Sequence, residues 1–152
     1  MENLIQDIDS IISDCNNQIN DKILGLTYLE QIKYHLLAKL RPLKSSLYDN
    51  LKKEEIKSQF ANNSLLIKLE RYTESISRIK NNLLNDSLFI VIEGSKSIEI
   101  YKSVDTKKFI SLNLYKNNGI TLPKGTIITE SISKGTVLMD IVYNEHVVDI
   151  EK

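Results

Sequence analysis

The side chains able to do chemistry are few and scattered. The chain has two histidines, His35 and His146, and one cysteine, Cys15. A metal centre needs several imidazole, thiolate or carboxylate ligands at short spacing. Neither histidine has a second histidine or cysteine nearby, so each is expected to be structural or on the surface. Cys15 falls among isoleucines at helical spacing, where a small buried apolar residue fits better than a nucleophile needing a basic partner and exposure. The best acid–base candidates are Glu93, Glu99, Glu130 and Asp140, if their strands adjoin. Glu99 and Glu130 fall on positions that read as solvent faces, and Asp140 points away from the face shared by Met139 and Ile141. Gly94, Gly119, Gly125 and Gly135 each sit alone in a turn, so no glycine-rich phosphate loop is present. No cofactor and no metal is expected.

Charge narrows the partners. Lys plus Arg number 20 and Asp plus Glu number 20, a formal net charge of zero. A nucleic-acid binder normally carries a basic excess. Lys52-Lys53 and Lys107-Lys108 are isolated pairs without an aromatic stacking platform. Apolar runs such as Leu88 to Ile92 are too short to span a bilayer. The start, MENLIQDIDS, is acidic and lacks a basic-then-apolar secretory pattern. The expected partners are other protein subunits, with no nucleic acid and no membrane. The expected location is the cytoplasm or a virion.

Elements to carry these residues follow from periodicity. Ile5, Ile8, Ile12, Cys15 and Ile19 recur at spacings of 3, 4, 3 and 4, a heptad seam along one helix. Gly25 is a helix stop. Thr27 with Glu30 reads as a capping box opening a second helix, whose stripe is Leu29, Ile32, Leu36, Leu37 and Leu40. Pro42 ends or kinks it. Leu47, Leu51, Ile56 and Phe60 suit a short helix. Leu65, Leu69, Tyr72, Ile76, Ile79 and Leu83 continue a 4-3-4-3-4 spacing and predict a long helix. The seams Ile5, Ile8, Ile12, Ile19, Leu65, Leu69, Tyr72, Ile76, Ile79 and Leu83 are therefore the candidate interaction residues, packing within the chain or against another copy. Residues 1–21 hold five acids and no Lys or Arg, whereas 22–57 hold eight basic residues and four acids. An acidic first helix against a basic second one, or against a partner's basic surface, would use that imbalance.

After Ser87 the pattern becomes strand-like. Leu88 to Ile92 reads as a strand covered on both faces. Ile98 and Ile100 alternate with polar residues after a turn at Glu93-Gly94-Ser95-Lys96. Ile110, Leu112 and Leu114 share a face. Asn118-Gly119 signals a hairpin. Thr126 to Ile132, Val137 to Tyr143 and Val147 to Ile150 complete about seven strands, the spacing of a sandwich or barrel.

Two stretches, LFIVIEGSKSIEI and GITLPKGTIITESISKGTVLMDIVYNEH, resemble the two motifs of the cupin superfamily, with Pro123 and Gly125 matching a Pro-x-Gly. The likeness runs from Leu88 to Val148 and is nearest the sugar ketoisomerase and epimerase branch. It implies a double-stranded β-helix. It also implies lost metal ligands: Asn81, Asn82, Leu83, Leu84 and Ser87 stand where the first motif carries histidines and glutamate, and Ile128 where the second carries histidine.

The expected architecture is α+β, a helical hairpin or coiled coil over residues 1–85 followed by a small antiparallel sandwich over 86–152. The expected function is a non-enzymatic assembly protein, a homo-oligomer or part of a larger particle such as a phage or virus virion. The alternative is a cupin-like sugar-binding protein or sugar-nucleotide isomerase, with Tyr101, Tyr115 and Tyr143 around a carbohydrate.

Overall fold

The computed structural model describes residues 4–18, 25–40, 51, 53–60, 63–101 and 108–144. Two helices, α1 (Leu4–Gln18) and α2 (Leu26–Leu40), precede nine strands: β1 (Lys53–Phe60), β2 (Asn63–Arg71), β3 (Ile76–Asn82), β4 (Asp86–Glu93), β5 (Ser95–Tyr101), β6 (Lys108–Tyr115), β7 (Asn118–Leu122), β8 (Ile127–Ile132) and β9 (Val137–Asn144). A five-stranded sheet has the order β1-β2-β9-β4-β7, and a four-stranded sheet the order β3-β8-β5-β6. Every pairing is antiparallel.

Three layers result. The helices cover one face of the five-stranded sheet and the four-stranded sheet covers the other. Ile8, Ile12 and Cys15 of α1 and Tyr28, Leu29, Ile32 and Leu36 of α2 form one core with Leu65, Ile67 and Leu69 of β2, Leu88 and Ile90 of β4, and Met139 and Ile141 of β9. Phe89 and Val91 of β4, Ile98 of β5, Ile128 and Ile132 of β8 and Leu138 of β9 form a second core between the sheets. The uninterrupted apolar run of β4 is thereby explained: successive side chains enter opposite cores. Each such buried side chain contributes about 1.5–3 kcal/mol. Tyr28 ties the helices to the sheet, its ring edge-on to Tyr143 at 5.9 Å and its hydroxyl donating to Asn16 Oδ1.

The α+β class, the helical start and the sandwich agree with the sequence expectation. The boundary at residue 85 does not, because strand structure begins at Lys53. Ile56 and Phe60 lie on β1, not on a short helix. Leu65 and Leu69 lie on β2, Ile76 and Ile79 on β3, and Tyr72 and Leu83 beside these strands, so the expected long helix is two strands. The confusion has a simple origin: residues four apart share a face in both a helix and a strand. Ile67, between Leu65 and Leu69 and buried with them, carries the strand period.

Among its described residues, the α1 seam is also closed within the chain. Ile8 and Ile12 are fully buried against the five-stranded sheet, so they are not open to another subunit. Ile19, Pro42, Leu47, Val147 to Ile150, His146 and the side chain of Ile5 lie outside the described residues. The hairpin expected at Asn118-Gly119 turns slightly earlier. Asn117 takes the left-handed conformation, φ 69°, and Gly119 lies on β7. A Cβ there would stand 3.1 Å from Ile90 and 3.3 Å from the Lys33 stem, so glycine lets α2 settle on β7.

Candidate functional site

Alternation along β5 points Lys96, Ile98 and Ile100 inward, and along β8 it points Ile128, Glu130 and Ile132 inward. Two charges therefore enter the space between the sheets. Lys96 is fully buried, and its Nζ lies 2.5 Å from Glu130 Oε1. The same ammonium stands 3.9 Å from the centre of the Phe89 ring, a cation–π contact in a desolvated setting. From the other sheet Asp140 of β9 approaches, its Oδ1 3.9 Å from Lys96 Nζ.

Arg78 closes the group. The β3–β8 register sets it opposite Glu130. Its Nη1 is 3.4 Å from Glu130 Oε2, and its Nη2 donates to the Tyr72 hydroxyl at 2.9 Å. Burial pushes the Tyr72 phenol up to about 12, and nearby Arg78 only partly offsets this. The side chains of Lys96 and Glu130 are 0% and 6% exposed, whereas Arg78 retains 43% and Asp140 22%. The paired ions are sealed and two partners reach the rim.

A Lys96–Glu130 pair closed off from solvent suits tying the neighbouring strands β5 and β8 of one sheet together better than turning over a substrate. A general acid or base has to come within hydrogen-bond reach of the reacting group. Among the described residues no cluster of three or more His, Cys, Asp or Glu could hold a metal ion.

Of the acid–base candidates, Glu130 and Asp140 do come together, and Glu130 is buried, not on a solvent face. Glu93 is elsewhere, ion-paired to Lys116 at 3.0 Å. Lys96 escapes the sequence pattern because Glu93-Gly94-Ser95-Lys96 reads as a turn; its parity with Ile98 and Ile100 is the signal that places it inside. Arg78 was hidden by the helical reading of β3. The expected tyrosine pocket does not form. Tyr143 is buried on the helix side of the five-stranded sheet, whereas Tyr115 is 58% exposed at the end of β6.

His35 serves its own helix, with Nδ1 donating to the Gln31 carbonyl at 2.9 Å. Cys15 is buried, and burial pushes its thiol up to about 11. Cys15 is therefore expected to resist maleimide labelling in the native protein and to label on unfolding. Prompt labelling of folded protein, followed by mass spectrometry, would show the packing of α1 to be wrong.

The seam residues are distributed over both cores and the surface. Leu65 and Leu69 face the helices, Tyr72 faces the sandwich, and Ile76 and Leu83 pack partly against it. Ile79 is 88% exposed. No helix among the described residues is long and apolar enough to cross a membrane.

No known family profile matches the chain, and no curated protein matches it in sequence. Solved structures do match in fold. The protein BH2720 of Bacillus halodurans aligns with a TM-score of 0.50 at 15% identity, over 68% of this chain and 82% of that one. A cupin superfamily protein of Desulfitobacterium hafniense aligns with a TM-score of 0.43 at 19% identity, over 67% and 89%. The CENP-C cupin domain of Drosophila melanogaster aligns with a TM-score of 0.44 at 13% identity, over 60% and 71%. Identities this low speak to fold and not to activity. The two antiparallel sheets, with β4 and β9 central to one and β5 and β8 to the other, make the β part a cupin-like double-stranded β-helix with two helices laid on its outer face.

Proposed function

We propose that the chain is a non-catalytic cupin-like module that works by binding other protein subunits, beginning with copies of itself. The observation that carries this reading is the sealed interior: Lys96 is 0% exposed and spent on Glu130, so the place where a reaction would occur is filled by the protein's own ion pair. Function then falls to the surface. The described residues of the α1 and α2 seams are turned to the sheet, and β3 is the more open edge of the four-stranded sheet, since the other edge, β6, lies beside β7. Ile79 on β3 and Leu84 just after it are 88% and 85% exposed. The register break between Arg78 and Asn81 discourages continuation of the sheet across this edge. A partner would meet it through side chains.

Light scattering on the full chain over rising concentration tests the reading. The wild type is expected to grow beyond a monomer, and Ile79→Glu/Leu84→Glu to remain monomeric with an unchanged melting temperature, since exposed substitutions cost little. A wild type that stays monomeric throughout would overturn self-association.

A second reading, carbohydrate binding, draws on the partial exposure of Arg78 and Asp140 at the rim of the ion group. Thermal-shift screening against sugars and sugar nucleotides addresses it; a shift that disappears in Arg78→Ala would favour it over the module reading.

A further inference from the structure

Asn118 is the one asparagine of the chain that is followed by glycine. It opens β7, exposed to solvent, just after the left-handed Asn117. The Tyr115 N–H donates to its side-chain Oδ1 at 2.9 Å. A donor fixed on a carbonyl oxygen stabilises the negative charge that gathers there when the carbon is attacked. Gly119 supplies the attacking group. It has no side chain to shield its amide nitrogen, and its backbone is the most adaptable of any residue. A polarised carboxamide thus adjoins an unhindered backbone nitrogen.

The surroundings of Gly119 give the site a consequence. Gly119 pairs with Ile90 across the β4–β7 ladder, and a Cβ on it would stand 3.3 Å from the Lys33 stem of α2. Further along β7, the Thr121 hydroxyl donates to Glu30 Oε1 of α2 at 2.9 Å. Glu30 in turn pairs with Lys33 at 2.6 Å. β7 is the outer strand of its sheet, so β4 alone sets its register. The seat of α2 on β7 therefore depends on a main chain of normal length at 118–119.

We propose that Asn118–Gly119 is a self-modification site, where deamidation of Asn118 in water unseats α2 from β7. The Gly119 nitrogen bonds to Asn118 Cγ, the Cγ–Nδ2 bond breaks, and ammonia leaves with the proton that Gly119 gives up. Water then opens the cyclic imide. Cleavage between the ring nitrogen and Cγ leaves aspartate, which keeps the acceptor for the Tyr115 N–H and the register of β7. Cleavage between the ring nitrogen and the main-chain carbonyl carbon leaves isoaspartate. The main chain then runs through Cβ and is longer by a methylene. That extra length drives Gly119 against Ile90 and Lys33 and draws Thr121 away from Glu30. Ile79 and Leu84 take no part.

Ageing the full chain at neutral and mildly alkaline pH, followed by peptide mass spectrometry, tests the site. Asn118 is expected to exchange –NH2 for –OH ahead of every other asparagine. The exchange is expected to be faster at the higher pH, because the attacking nitrogen must give up its proton, and to vanish in Asn118→Ser. An Asn118 that stays an amide while other asparagines convert would overturn the proposal. Cys15, buried in the core that α2 shares, reads the consequence. The isoaspartate form, separated by ion exchange, is expected to take maleimide several-fold faster than fresh protein, and the aspartate form to match fresh protein. Equal labelling of the isoaspartate form and fresh protein would overturn the unseating of α2.

Discussion

Replacing Lys96 by methionine is expected to cost about 3–5 kcal/mol of folding free energy. The reason is less the loss of an attractive pair than the orphaning of its partner. Glu130 is 6% exposed and keeps only Arg78 at 3.4 Å, too long for a strong charge-assisted bond. Methionine preserves the volume of the lysine stem, so cavity formation contributes little. Glu130→Gln in the same background removes the stranded charge and is expected to restore about 2 kcal/mol or more. Urea denaturation of the four proteins in this cycle measures the coupling. Additive single effects would mean that Lys96 and Glu130 do not hold each other.

Gly94→Ala is the second large effect, at least about 2 kcal/mol. Gly94 has φ +87° at the β4–β5 corner, where an L-residue is strained by about 1–2 kcal/mol. Space is also lacking. A Cβ would fall 2.8 Å from the Thr136 Cα, which is backbone and cannot swing aside. The Thr136 hydroxyl meanwhile accepts the Ser95 N–H at 3.1 Å and lies 2.9 Å from the Ser133 hydroxyl. Moving Thr136 thus disturbs the β4–β5 and β8–β9 corners together. Gly135 offers a control: at φ +85° a Cβ meets nothing within 4 Å, so Gly135→Ala should show the backbone strain alone. Equal melting temperatures for the two variants would remove the packing argument.

The α1 seam has the same 4-3 spacing as Leu65, Leu69 and Tyr72; what separates them is the residue between the first two, exposed Ser10 in α1 and buried Ile67 in β2. The strands after Asp86 were legible because Gly94, Gly125 and Gly135, all with positive φ, punctuate alternating runs. β1 to β3 were not, since a 4-3-4 spacing fits a helix seam and Leu65 with Leu69 fits either period. The interior ion group was lost for two separate reasons. Lys96 and Glu130 are charged residues at core-facing strand positions, where pattern reading assigns the residue to solvent or a turn. Their pairing also depends on the β5–β8 contact, which sets Ile98 opposite Glu130 and Lys96 opposite Ile132. A crossover of that kind is not encoded locally. The covering of the helix seam is another long-range fact: a heptad stripe says that a helix face will be buried, and the sheet beneath it says by what.

The central claim is that the interior holds the fold together and the surface does the binding. Sedimentation of Lys96→Met/Glu130→Gln beside the wild type, both as full chains that melt cooperatively, measures this most directly. Equal self-association is expected, because Lys96 and Glu130 are sealed inside the sandwich. Loss of association in the interior variant alone would contradict the claim and make the space between the sheets the working site.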